Sequence, residues 1–261
     1  MSDAPAHAAE TGNGPDVVYE GRDLEATAGL DNYNAWIIDA FKPYLRGHAI
    51  EIGSGIGTSA GLLRPHVDRL DVVEPSPNLT PVLEARFADD ASATVYSATL
   101  EAHVAAMDDA CRDAVILVNV LEHIEDDRAA LAELFRITRP GGHLLLFVPA
   151  LQFLFSELDR QFGHFRRYRR SELRAKVGDA GFEIGLACYF DILGVAPWWL
   201  LNTVGGKTDF NPKMVRLYDA VGVPLTPARR AASFTALRQE RSAGRPAPEL
   251  TPMNRDVRTG R

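Results

Sequence analysis

Between His48 and Ala150 short apolar runs alternate with segments of helical spacing, and that rhythm restricts the fold more than anything else in the chain. Residues 48–53, 70–74, 93–98, 113–119 and 143–150 read as strands, and residues 58–66, 77–87 and 126–138 read as helices. The strand runs lack the polar alternation of a half-exposed sheet, so both faces must be covered, as in a parallel sheet flanked by helices. The expectation is an α/β chain with a doubly wound sheet. A helix over 32–45, with Trp36, Ile37, Ala40, Phe41 and Tyr44 at helical spacing, packs on this domain. A helix over 171–180 and a sixth strand over 182–189 follow, with Gly181 as the helix C-cap.

With 46% hydrophobic and 24% charged residues, the 261-residue chain can build a buried core. Its formal charge of -7 opposes general attraction to nucleic acid or anionic lipid, so an anionic ligand must meet a local basic patch. Cys111 and Cys188, far apart, suggest neither a disulfide framework nor a cysteine-rich zinc site, and no metal is expected. A cytoplasmic protein fits. Residues 1–18, rich in Ala, Gly, Pro and Asp, read as a disordered arm without the marks of a secretion signal, and residues 241–261 as a disordered tail. The longest uncharged apolar stretch, 192–206, is shorter than the roughly 18 residues of a spanning helix and contains Pro197. No transmembrane segment is expected; peripheral membrane contact stays open.

Glu51-Ile52-Gly53-Ser54-Gly55-Ile56-Gly57 closes the first strand and opens a helix. Glycines there allow a sharp turn and let a ligand lie against the main chain. Glu74 ends the second strand, twenty-one residues after Gly53, where a carboxylate can accept both hydroxyls of a ribose. A dinucleotide site needs Gly-x-Gly-x-x-Gly facing a pyrophosphate, but here the third glycine comes one residue early and Thr58 fills its place. Glu51 would repel a pyrophosphate and tolerate a cationic amino-acid ligand. The residues therefore favour S-adenosylmethionine (SAM) over a nicotinamide cofactor.

AIEIGSGIG, VVEPS and DAVILVNVLEHIEDDRAALAELFRITRPGGHLLLFVPA together resemble the class I SAM-dependent methyltransferases, in the group with an LEH loop after the fourth strand. The resemblance runs from about Tyr33 to Tyr189 and implies a Rossmann-like, mostly parallel seven-stranded sheet with helices on both faces. It implies a methyltransferase domain over 19–240, with an acceptor-side insertion at 151–170 and an apolar helical segment at 190–222. By the same resemblance Glu51, Gly53, Ser54, Gly55 and Gly57 line the methionine part of SAM. Glu74 takes the ribose, Pro75 and Ser76 lie beside the adenosine, Thr99 and Leu100 lie near the adenine, and Asn119 and Val120 border the methyl group. The group ends in a hairpin of sixth and seventh strands; here the seventh must come from ARRAASFTALRQE, a poor strand sequence.

The acceptor side is less defined. His123, His164 and Glu122 are the candidates for a base if the acceptor is a hydroxyl, with His123 and His164 as the catalytic choices; the other reading is that Glu122 and His123 only shape the loop. Arg160, His164, Arg166, Arg167, Tyr168, Arg169 and Arg170 fall within eleven residues of an otherwise acidic chain. These either contact an anionic acceptor or form a solvated segment paired with Asp159, Glu157 and Glu172. A GHxRRY pattern similar to this one occurs in the same methyltransferase group at the acceptor pocket, which implies substrate contact by His164, Arg167 and Tyr168; Tyr33 is a further substrate-binding candidate. The segment Tyr189 to Leu201, with two adjacent tryptophans, reads as a core-closing helix or as a lid touching lipid. The functional expectation is a SAM-dependent methyltransferase acting on a small molecule, anionic or lipid-linked. The alternatives are a non-catalytic SAM-binding regulator and a nicotinamide-dependent oxidoreductase, the latter opposed by the lack of a Tyr-x-x-x-Lys pair.

Overall fold

The structure, a computed structural model, describes residues 29–189, 191–206, 212–223 and 234–238. The arm expected at 1–18 and the tail at 241–261 lie outside the described residues.

The five central apolar runs become β1 (His48–Ile52), β2 (Arg69–Glu74), β3 (Ala93–Ser97), β4 (Arg112–Val118) and β5 (Thr138–Phe147), all parallel, in the order β3-β2-β1-β4-β5. Side chains alternate between two cores, as the period of a strand requires. Ala49, Val72, Ala114, Ile116 and Leu145 pack with Ile37, Ile38 and Phe41 of α1 (Asp31–Phe41), Ala60 and Leu63 of α2 (Thr58–Leu63), and Leu83 and Phe87 of α3 (Thr80–Phe87). Ile50, Ile52, Val115, Leu117, Leu144 and Leu146 pack on the opposite face. There they meet Leu100 and Val104 of α4 (Leu100–Ala105) and Leu131, Leu134 and Ile137 of α5 (Asp127–Ile137). Past the short α6 (Glu157–Gln161), α7 (Arg170–Asp179) adds Leu173 and Val177 to the same core. Each Val, Leu, Ile or Phe among them, fully withdrawn from water, contributes about 1.5–3 kcal/mol.

β6 (Glu183–Cys188) and β7 (Phe234–Arg238) extend the sheet, β7 lying antiparallel between β5 and β6, with Leu145 opposite Ala236. Beyond β6 come α8 (Ile192–Trp198), a π-helical stretch Trp199–Val204, α9 (Pro212–Leu217) and a second π-helical stretch Tyr218–Gly222. Asp71 interrupts the apolar run of β2, and its carboxylate is compensated by Arg112 and by His48 Nε2 at 3.1 Å.

Two of the described helices, α4 with 6 residues and α6 with 5, were not read from the sequence; each has little more than one turn, and α2, equally short, was marked by the glycine turn before it. β5 also begins earlier than expected. Thr138 already pairs with Arg112, and Pro140-Gly141-Gly142 makes an irregularity within the strand instead of a turn before it. The chain winds outward from β1 to β3 and returns to β4 beside β1, so a crevice opens at the carboxyl ends of β1 and β4, where open parallel sheets bind ligands.

Candidate active site

At the end of β1 the chain reverses through Gly53, Gly55 and Gly57, all left-handed, with φ of 75°, 56° and 80°. The amides of Gly53 and Ser54 both donate to Val73 O, at 2.8 and 3.1 Å, and stitch the turn to β2. A side chain at Gly53 would overlap Val120, and one at Gly57 would come within 2.8 Å of Leu83 Cδ2 and 2.9 Å of Arg86 Cδ. Gly53 thus lets the loop after β4 lie directly against the turn.

Two carboxyl groups face this turn. Glu74 is buried; its Oε2 accepts from Gly55 N at 2.8 Å and its Oε1 from Ser76 N at 3.0 Å, so it braces the loop with one lone pair of each oxygen and keeps others for a ligand. Glu51 is 1% exposed and its Oε2 has no hydrogen-bond partner among the described residues. Burial, with the nearby Glu74 charge adding to it against Ser54 and Arg86, pushes the Glu51 carboxyl up to about 8. A buried carboxyl left in this condition is stabilised by a cation, not by a phosphate.

The loop after β4 starts at Asn119, a non-glycine residue with φ of 53°, whose amide donates to Phe147 O at 2.8 Å. The tight turn Leu121–His123 follows, with Leu121 and Glu122 completely buried. His123 faces His164 with ring centroids 4.6 Å apart, edge to face. Burial and then the neighbouring His164 hold His123 down to about 4, so its imidazole is neutral near pH ~7.

The basic insertion folds onto this turn. Phe165 N donates to Glu122 O at 2.9 Å, and the Tyr168 hydroxyl donates to Asp127 Oδ2 at 2.8 Å and lies 3.2 Å from Leu121 O. Asp159 is the hub: Oδ1 accepts from Arg167 Nε at 2.7 Å and lies 3.1 Å from His164 Nδ1, while Oδ2 accepts from Arg167 at 3.0 Å and from Ser156 N and Oγ at 2.8 and 2.9 Å. Burial pushes the Asp159 carboxyl up, but the bonds from His164 and Arg167 outweigh it and leave it at about 2. Arg167 also stacks on Trp198, its guanidinium carbon 4.4 Å from the ring centroid.

These contacts correct part of the expected acceptor site. Tyr168 has no exposed surface, and Arg167 is spent on Asp159 and Trp198, so both position the loop instead of presenting groups to a ligand. The solvated, ion-paired reading of the basic stretch describes Arg160, paired with Glu157 at 2.9 Å, whereas Arg166 pairs with Asp127, a partner outside the expected set, at 2.8 Å. Thr99 accepts from Ala102 N at 3.2 Å as the cap of α4, and the Leu100 side chain belongs to the core. Pro75 is half-buried and Ser76 buried, directly after Glu74.

Tyr33 stands over the end of β5, its ring centroid 6.1 Å from that of Phe147. Asp219 holds it there: Oδ1 accepts from Tyr33 N at 2.8 Å and Oδ2 from Asn32 N at 3.1 Å, an N-cap supplied to α1 from far along the chain. Burial and the Asp191 carboxylate raise the Tyr33 hydroxyl, and Asp191 accepts from Tyr218. No motif announced Asp191, Tyr218 or Asp219; their partners are known only once the chain is folded. At the same edge of the sheet, an open groove between the start of α7 and the end of β6 is lined by Arg170, Ser171, Arg174, Ala187 and Tyr189.

Residues 50–146 match the family model described as a methyltransferase domain. An uncharacterized 37.1 kDa protein in transposon TN4556 of Streptomyces fradiae is 29% identical over 138 residues, which are 52% of this chain and 39% of that relative. Among solved structures, the chain is similar to the methyltransferase in complex with the Haloferax volcanii Trm112 methyltransferase activator, with a TM-score of 0.59 and 18% identity over 85% of this chain and 95% of that one. It is also similar to Haemonchus contortus phosphoethanolamine N-methyltransferase 2 in complex with phosphomonomethylethanolamine and S-adenosylhomocysteine, with a TM-score of 0.57 and 15% identity over 84% of this chain and 57% of that one. What is shared at these identities is the fold, a Rossmann-like α/β methyltransferase fold with a mostly parallel sheet.

Proposed function

We propose that the chain is a SAM-dependent methyltransferase acting on an anionic or lipid-linked small molecule. The observation that carries the reading is the buried Glu51 carboxyl, with one oxygen lacking a hydrogen-bond partner among the described residues, beside a glycine turn braced by Glu74. That cradle suits a ligand with a cationic amino-acid part and a ribose. Bound SAM would supply a methyl group activated on a sulfonium; the residues named here bind and orient it. Glu51 with Gly53, Ser54, Gly55 and Gly57 takes the methionine part, and the remaining lone pairs of Glu74 take the ribose hydroxyls. Pro75 and Ser76 flank the adenosine, the backbone at Thr99 and Leu100 the adenine, and Asn119 and Val120 the methyl group.

On the acceptor side, Tyr33, His123 and His164 are the proposed contacts, His123 and His164 as the catalytic pair. Both imidazoles offer a lone pair, either to an acceptor proton or to a metal ion. Holding the acceptor in line supplies roughly 7–11 kcal/mol through orientation alone, so the positioning done by Asp159, Arg167 and Tyr168 matters as much as any proton transfer. The anionic part of the acceptor is assigned to the groove of Arg170 and Arg174, and an apolar chain to the exposed Trp199, Leu200, Val204, Met214, Leu217 and Val221.

The test is transfer of a heavy methyl group from labelled SAM into a cell extract, followed by mass spectrometry, with polyprenyl phosphates and phosphorylated sugars as defined acceptors. Labelling of an anionic or lipid-linked compound is the expected result. Labelling confined to neutral small molecules defeats the acceptor assignment, and no SAM-dependent labelling of anything defeats the enzyme.

A further inference from the structure

The two distant cysteines, Cys111 and Cys188, point to no metal site. Folding changes this. Glu122, His123 and His164 come from two loops 41 residues apart, yet each presents one ligand atom, and these atoms lie within 4.8 Å of one another. Two nitrogen donors and one carboxylate are a common donor set for a borderline divalent ion such as Zn²⁺, Fe²⁺ or Co²⁺, and a poor one for Ca²⁺.

We infer that Glu122, His123 and His164 form a binding site for one such divalent metal ion, with Asp159 as the group that aims His164 at it. The geometry around His164 is what separates this from three side chains merely packed together. Its Nδ1 lies 3.1 Å from Asp159 Oδ1, and as donor to that carboxylate it fixes the tautomer whose Nε2 carries the free lone pair. Asp159 is itself clamped by Arg167 and by Ser156, so the imidazole is aimed by a rigid support instead of a mobile side chain. A carboxylate behind a histidine is the usual outer support of a metal-bound imidazole. The other two donors sit on the turn Leu121–His123, which Tyr168 pins through Leu121 O and Phe165 pins through Glu122 O.

This inference rests on reading His123 and His164 as the acceptor-facing pair. Three protein ligands leave at least one coordination position for an oxygen of the acceptor, a hydroxyl or a phosphate, and fix that oxygen relative to the loop bordering Gly53. GHxRRY then reads as a metal-supporting unit: His164 is a ligand, Arg167 holds the carboxylate that orients it, and Tyr168 secures the turn that carries the other ligands.

The experiment uses the full chain, stripped with a chelator and titrated with Co²⁺ while the visible absorption is followed, with metal content after gel filtration counted by mass spectrometry. One equivalent per chain with a visible d–d band is expected. Asp159→Asn should weaken Co²⁺ binding by about 10- to 100-fold, and His123→Gln and His164→Gln should each weaken it more than that. Circular dichroism reports whether each variant is folded. Should a variant unfold, the wild-type protein still decides the matter: Zn²⁺ should protect His123 and His164, but not exposed His66, from diethyl pyrocarbonate. No stoichiometric ion, unchanged affinity in both folded histidine variants, or no protection of His123 and His164 overturns the site. SAM affinity is measured separately on stripped and loaded protein. Metal uptake without SAM binding would leave this inference standing and sink the methyltransferase reading, and the reverse result would do the opposite.

Discussion

Glu51→Gln is the most informative single substitution at the proposed cofactor cradle. The Glu51 carboxyl titrates at about 8 in the folded chain against an ordinary value of 4.5, so near pH ~7 about nine molecules in ten carry the proton. A cationic ligand docking beside it favours the carboxylate; if the bound value falls below ~6, SAM binding at pH ~7 releases roughly 0.8 of a proton. Isothermal titration in buffers of different ionisation enthalpy measures that number directly, and Glu51→Gln should bring it to zero while weakening SAM. The same shift has a stability signature. Because the folded value is raised above the unfolded one, the contribution is fully present below about pH 4.5 and is lost as pH rises through about 8. At one unit per 1.36 kcal/mol, the loss is about 5 kcal/mol, and Glu51→Gln should lack it, melting like the wild type at acid pH and higher than the wild type above about pH 8. Proton release equal in wild type and variant, or a variant destabilised at alkaline pH, would refute this reasoning.

Glu74→Ala should lose most SAM affinity by calorimetry, since it removes both the proposed ribose acceptor and the brace on Gly55 and Ser76; unchanged affinity would count against the cradle. Tyr168→Phe removes a buried hydroxyl bonded to Asp127 and should cost about 1–3 kcal/mol in denaturant unfolding while SAM affinity stays as it was, because the ring is a prop and not a contact. Asp219→Ala should destabilise by about 1 kcal/mol and speed hydrogen exchange at Asn32 and Tyr33, whose amides it caps.

The sheet was legible in the sequence for a local reason. The central strands are buried on both faces, so their runs are mainly apolar, and the glycines of the turn stand next to the strand end they reverse, whereas Glu74 braces Gly55 from 19 positions away. Helices α4 and α6 escaped because each has little more than one turn and, unlike α2, follows no glycine turn that marks its start. The roles of Arg167 and Tyr168 escaped for a different reason: an arginine facing a ligand and an arginine stacked between Asp159 and Trp198 are the same letter, and only the folded chain distinguishes them. The cap on α1 shows the same limit, since Asp219 stands 187 positions from Asn32. The Glu122, His123 and His164 cluster was half visible, as candidate bases, but its convergence depends on how the insertion folds back on the turn Leu121–His123.

If the bend after β1 and the acid ending β2 form a cradle for an adenosyl sulfonium, calorimetric titration of the purified chain should show saturable one-to-one binding of SAM and of S-adenosylhomocysteine and none of NADH. Heat from NADH alone, or from none of the three, would mean that no such cradle exists.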